Sequence, residues 1–225
     1  MLGRVFSSNL GKVLVTLLVI GVAGSTVSYG TFASFTAQTS NSGNTFSTGT
    51  LVLKNDIAAG ANVGASCLST ASGVDANSSG CLAFFAEGAG AGLAPGGTNA
   101  TATITLTNQG SLAAGSLKIW SNACSATDNS AVSVHGSGDP CDKLVLTVFD
   151  GTNCVYPSAT GACVASSTKT LKQFVTDTSS TPISASGLAA AGSRSYTIGV
   201  GFDSTAGNSY QGRTASTTFS WRLDQ

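Results

Sequence analysis

Residues 99–108, NATATITLTN, set the fold class. Ala100, Ala102, Ile104 and Leu106 share one parity, and Thr101, Thr103, Thr105 and Thr107 share the other. Period-two alternation with β-branched threonines predicts a strand with one face buried and one in water. Upstream, Leu93-Ala94-Pro95-Gly96-Gly97 reads as a turn, since Pro fixes φ and Gly supplies positive φ. Downstream, Gln109-Gly110-Ser111 breaks the run.

Similar alternation recurs along the chain. Residues 114–120 place Leu117 and Ile119 on one face, and residues 143–150 do the same with Leu144, Leu146 and Val148. Asp150-Gly151 then signals a tight turn. In residues 194–203, Tyr196, Ile198, Val200 and Phe202 alternate with Gly199 and Gly201, which predicts close approach of another element. Residues 215–224 alternate Thr217, Phe219, Trp221 and Leu223. Residues 169–175, KTLKQFV, fit either a helical turn or a strand. Seven to nine strands with no strong helix between them predict an all-β fold. The expected form is an antiparallel two-sheet sandwich of jelly-roll or Greek-key type.

The N-terminus reads differently. Residues 1–12 carry Arg4 and Lys12 and no acid, and residues 13–23, VLVTLLVIGVA, are apolar. That run is about half the roughly 20 residues a membrane span needs. It predicts a signal helix over residues 1–33, with cleavage between Ala33 and Ser34. Residues 21–23 offer a second small-residue site. Membrane contact is expected only through the uncleaved signal. Residues 34–55 then read as an N-terminal arm and first strand, the strand lying over residues 45–53, and residues 56–225 as the rest of one domain. Within it, residues 56–92 are rich in Ala, Gly and Ser and read as a long insertion with one apolar patch at residues 82–85.

Six cysteines follow an export signal, so disulfides are expected. Six allow 15 pairings. Nearest-neighbour pairing gives Cys67 with Cys81, Cys124 with Cys141 and Cys154 with Cys163, each closing a short loop. A metal site is disfavoured because no CxxC spacing is present.

Charge excludes one class of function. Without Arg4 and Lys12 the ten basic residues become eight against ten acidic, a net of −2 with no basic run. Nucleic acid therefore has no electrostatic partner here. Low charge also weakens self-repulsion and permits assembly.

Catalytic side chains are scarce. His135 is the only histidine and Glu87 the only glutamate, so an HExxH zinc helix cannot be built. His135 with Asp139 and Asp142 is a conceivable metal cluster, but a surface loop beside a disulfide is the simpler reading. No GxSxG elbow accompanies the serines. No catalytic residue, metal or cofactor is expected. Trp221 shares a face with Phe219 and Leu223, which predicts core packing; Trp120 ends its run and is open to a ligand role.

Three segments carry a resemblance. Residues 30–53, GTFASFTAQTSNSGNTFSTGTLVL, resemble the signal end and first strands of the TasA/camelysin family of secreted matrix proteins, through Gly30, Thr31, Phe32, Ala33, Phe35, Asn44, Thr45, Phe46, Gly49, Thr50 and Leu51. Residues 93–112 are similar to the family's Pro-Gly turn, strand and N-x-G-S-L stop. Residues 210–225 look like its C-terminal strand, with Tyr210, Gln211, Gly212, Phe219 and Gln225 in place. The cysteine-bearing segments between them depart from the pattern. The resemblance implies a jelly-roll subunit processed by a signal peptidase of the SipW type, then self-association into extracellular biofilm fibres. In such fibres an N-terminal strand of one subunit completes the sheet of the next. The donor candidates are Phe35, Ala37, Phe46, Leu51 and Leu53. Residues 34–44 are the piece expected to leave home. The expected location is the extracellular matrix or cell surface. Some relatives are labelled peptidases, which implies metalloendopeptidase activity as an alternative; a monomeric adhesion or carbohydrate-binding module is another.

Overall fold

The computed structural model describes residues 9–30, 47–71, 81–86, 92–157 and 163–225. It divides into two units, Met1–Ser47 and Thr48–Gln225. The first contributes one described element, helix α1 (Asn9–Gly30). Within its first twelve residues Leu14, Leu17, Leu18 and Ile20 are all exposed. Among the described residues no helix is long and apolar enough to cross a membrane. Ala33, Ser34, Phe35, Ala37 and Phe46 lie outside the described residues.

The second unit is an antiparallel two-sheet sandwich. Its strands are β1 (Leu53–Ala59), β2 (Ser66–Leu68), β3 (Ala100–Asn108), β4 (Ser116–Asp128), β5 (Leu144–Asp150), β6 (Asn153–Tyr156), β7 (Ile183–Ser186), β8 (Ser193–Phe202) and β9 (Arg213–Asp224), with one helix, α2 (Leu171–Thr178). The larger sheet has the order β2-β1-β3-β8-β5-β6 and the smaller the order β7-β4-β9.

The alternation in residues 99–108 becomes β3. Ala102, Ile104 and Leu106 are fully buried between the sheets. The threonine face points outward and pairs across to β8, Thr103 Oγ1 with Thr197 Oγ1 at 3.2 Å and Thr105 Oγ1 with Ser195 Oγ at 2.9 Å. The preceding turn closes with Gly97 N–H donating to Ala94 O at 2.9 Å, and Gly96 takes the positive φ of 69° that this turn requires. On β8, Tyr196, Ile198 and Val200 are buried. The close approach expected at its glycines is real: a Cβ on Gly199 would meet Thr147 Oγ1 of β5 at 2.6 Å.

Three expectations are corrected, and one reading left open is decided. First, of the strand expected over residues 45–53, the described residues 47–52 are not strand; β1 begins at Leu53. Residues 50–52 instead run beside the 109–112 turn, with Gln109 N–H donating to Val52 O at 2.7 Å and Leu112 N–H to Thr50 O at 3.1 Å. Second, the start of the 56–92 insertion is sheet. LKNDIAA hides its strand character because Asn55 occupies the inward face between Leu53 and Ile57, while Lys54 and Asp56 form an outward ion pair at 2.8 Å. Third, β4 runs on beyond the expected 114–120 run as far as Asp128. A register shift between Ser121 and Cys124 absorbs the change of pattern, and Thr178 Oγ1 accepts from Ser121 N–H at 3.1 Å at that point. The 169–175 run, open between a helical turn and a strand, takes the helical form and opens α2. Thr170 caps it by accepting from Gln173 N–H at 3.3 Å, and Leu171, Phe174 and Thr178 face inward at helical spacing.

All three nearest-neighbour disulfides form, with Cα separations of 5.4 Å for Cys67–Cys81, 6.1 Å for Cys124–Cys141 and 5.1 Å for Cys154–Cys163. Such bonds suit an oxidising, extracellular environment.

One buried polar side chain organises the end of the sandwich where β1 begins. Asn108 Nδ2 donates to Leu112 O at 2.7 Å and to Leu188 O at 3.2 Å, and its Oδ1 accepts from Gly110 N–H at 2.9 Å. The asparagine thereby ties two turns to β3 and leaves none of those buried groups unpaired.

Two carboxylates couple this fold to pH. Burial alone would raise the pKa of Asp177. Hydrogen bonds from Lys169 Nζ at 2.9 Å, Gln173 Nε2 at 2.7 Å and Tyr156 Oη at 3.1 Å outweigh that and hold it below the ordinary 3.8. Asp203 is also held low, because its Oδ1 accepts from both Thr205 N–H and Thr205 Oγ1 at 2.7 Å. A carboxyl depressed in the folded state stabilises above its unfolded pKa and loses that contribution as pH falls through the folded value. Unfolding free energy, measured in urea, should therefore hold between pH 7 and about 5 and decline below about pH 4. Asp177→Asn should flatten part of that decline.

Candidate functional site

Among the described residues the two sheets are unequal, six strands against three. In the order β7-β4-β9, β9 is an outermost strand. Its inward residues Phe219, Trp221 and Leu223 continue the alternation read from the sequence, yet they are only partly buried. Their counterparts Ile104, Leu106 and Tyr196 on the opposite sheet are fully buried. Trp221 packs on Tyr196 with ring centroids 5.3 Å apart, so the expected core packing is present on one side only.

A groove of about 1600 Å³ runs along β9, from Arg213 to Leu223. Leu51, Leu53, Val200 and Phe202 line it from the larger sheet and its entry segment. Five buried side-chain polar atoms lack a hydrogen-bond partner among the described residues, and three belong to residues lining this groove: Asn55 Oδ1, Arg213 Nε and Trp221 Nε1. Unpaired buried groups of this kind are uncommon in a finished core. At the groove's end Arg213 Nη1 is paired with Asp128.

One wall is a short strap, residues 81–86. Phe84 and Phe85 stack on each other at 5.2 Å, and Phe84 reaches Phe219 of β9 at 5.3 Å. The strap meets the body through Ala61 N–H donating to Phe84 O at 2.8 Å and Asn62 Nδ2 donating to Ala83 O at 2.8 Å. Two such bonds contribute about 1–3 kcal/mol together. Ordering a residue's backbone costs about 1–2 kcal/mol, so six ordered residues need a further tie. The Cys67–Cys81 disulfide is that tie, joining the strap to β2 at the edge of the larger sheet.

The other residues singled out from sequence sit elsewhere. Leu53 opens β1, where its N–H donates to Ser69 Oγ at 3.1 Å, so Leu53 and Leu51 are at home in their own sandwich. His135 is exposed with Nε2 2.9 Å from Asn129 O. Asp139 and Asp142 both face the Lys172 ammonium, at 3.6 and 2.8 Å. No group of three or more metal-binding side chains occurs among the described residues. Trp120 lies under the Arg222 guanidinium, 5.7 Å from its ring centre. Sequence reasoning did not single out Asn55 or Arg213; a polar residue on the inward parity of a strand was the one available signal. No family model matches this chain, and no curated protein matches it.

Proposed function

We propose that this chain is a secreted structural subunit that polymerises by strand donation into extracellular fibres of the biofilm-matrix type. After export and signal removal, residues 34–44 of one copy lie along β9 of the next. The observation that carries this reading is an outer strand with a half-buried apolar face beside an apolar groove. Backbone groups on a sheet edge bind an extended segment, and alternate side chains of that segment fill the pockets. The lengths agree. β9 has 12 residues, about 40 Å at strand rise, and the arm has about the same reach. Completing the burial of Phe219, Trp221 and Leu223 would contribute about 1 kcal/mol each, roughly half the value for burying a fully exposed side chain. A donor at one end and an acceptor groove elsewhere form a head-to-tail contact that does not close, so the product is a filament.

The test compares a chain beginning at Ser34 with one lacking residues 34–44, by electron microscopy and light scattering. Filaments are expected from the first only. Equal polymerisation by both removes strand donation, and a stable monomer from both removes the structural reading.

A further inference from the structure

The strap wall of the groove depends on one disulfide, and that disulfide is accessible. Cys81 is exposed and Cys67 is half-buried, whereas Cys141 of the central disulfide has no solvent exposure. The strap carries Phe84 onto Phe219, and Phe219 belongs to the strand edge that bounds the groove. Among the described residues its other ties to the body are the hydrogen bonds to residues 61 and 62 and the packing of its two rings. β2, which holds Cys67, pairs with β1 over three residues at the sheet's rim. Nothing in β3, β8 or β5 is held by this bond, so its loss leaves the centre of the sandwich intact.

We propose that the Cys67–Cys81 disulfide is a redox-sensitive control on the groove, so that the chain accepts a strand in its oxidised form and loses that capacity when a dithiol reduces the bond. This rests on the strand-accepting role proposed above and adds its regulation. The chemistry balances as thiol–disulfide exchange. A thiolate of the dithiol attacks Cys81 Sγ, the bond between the two protein sulfurs breaks, and Cys67 leaves as a thiolate that takes up a proton. The second thiol of the reagent then displaces Cys81 as a thiol and closes the reagent's own disulfide. Two electrons pass to the protein. The strap is released, Phe84 withdraws from Phe219, and the groove loses a wall. Exchange with a disulfide-bearing oxidant reverses each step. A chain in a reducing compartment is thereby kept from assembling, and oxidation after export turns assembly on.

The experiment uses the oxidised chain beginning at Ser34 and graded dithiothreitol. Alkylation with mass detection reads which cysteines open, hydrogen exchange reads residues 81–86 and the β3–β8 core, and light scattering reads filament growth. Cys67 and Cys81 should be alkylated first. Exchange should rise in the strap while the core stays protected, and growth should slow by about tenfold or more, the equivalent of about 1.4 kcal/mol in binding. Reoxidation should restore it. Cys67→Ser/Cys81→Ser should behave as the reduced chain throughout, and Cys154→Ser/Cys163→Ser should retain growth under oxidising conditions. Wild-type growth by Cys67→Ser/Cys81→Ser overturns the proposal. So does an unchanged strap on reduction, or loss of core protection together with it. If the oxidised chain forms no filaments, the structural reading fails, while exchange in residues 81–86 still decides whether the disulfide holds the wall.

Discussion

Phe174→Ala should lower the unfolding free energy by about 3–5 kcal/mol, the range for truncating a buried aromatic. Phe174 is about 1% exposed and stands where three elements meet. It projects from α2, meets Tyr156 of β6 edge-on at 4.9 Å and reaches Phe219 of β9 at 5.6 Å. The site has little freedom to collapse. On the next turn Thr178 Oγ1 donates to Phe174 O at 2.7 Å and accepts from Ser121 N–H of β4, and Asp177 is held by three donors. A cavity left there stays open, which places the cost in the upper part of the range for core truncations. Urea unfolding at neutral pH measures it, and Phe174→Leu, which keeps much of the volume, should cost about 1–1.5 kcal/mol. A loss under 1 kcal/mol for the alanine variant would mean that α2 merely rests on the sandwich.

The second large effect concerns the central disulfide. Cys124→Ala/Cys141→Ala should cost about 3 kcal/mol from chain entropy alone, the two cysteines being 17 residues apart in sequence. Local packing adds to it. Cys141 is buried in the short 3-10 turn Pro140–Asp142, which Asp139 caps by accepting from Cys141 N–H at 2.9 Å. Cys124 lies just past the register shift in β4. The bond therefore holds β4 on course where its pairing is irregular, and it anchors the turn whose Asp142 meets Lys172 of α2 at 2.8 Å. The loss should appear as a lower urea midpoint, with a steeper transition because the unfolded chain exposes more surface once the cross-link is gone. This disulfide acts on the whole fold, in contrast to Cys67–Cys81 at the rim. A double variant with native stability would show that the irregular half of β4 needs no anchor.

How far the chain could be read from its sequence varied by element, for physical reasons. β3 and β9 were legible because large apolar residues alternate with small or polar ones facing outward, and β5 and β8 because their large apolar residues keep one parity, although Val145 and Thr147 on the other face of β5 are buried too. β1 was not, because the groove admits Asn55 on its inward face. The far half of β4 was missed because its side chains are small and polar on both faces past the register shift. α2 is short, and only two of its inward positions, Leu171 and Phe174, fall within residues 169–175, too few to establish the helical period. Disulfide pairing was legible because short separations limit the geometry. The groove was half legible. Alternation in residues 215–224 announced an inward face on β9, but incomplete burial is a property of what stands opposite. That depends on strand order, which local pattern does not encode.

The entry of the chain into the sandwich has a mechanical consequence. Thr50 N–H donates to Ser111 Oγ at 3.0 Å, Leu112 N–H to Thr50 O and Gln109 N–H to Val52 O, and β1 then pairs with β3 from Leu53 to Ala59. Bonds between antiparallel strands lie across the strand axis. A pull along β1 therefore loads the whole ladder in shear, and no single bond meets the force alone, as the leading one would if the strand were peeled from its end. The segment by which the chain enters the sandwich is thus built to bear tension along β1.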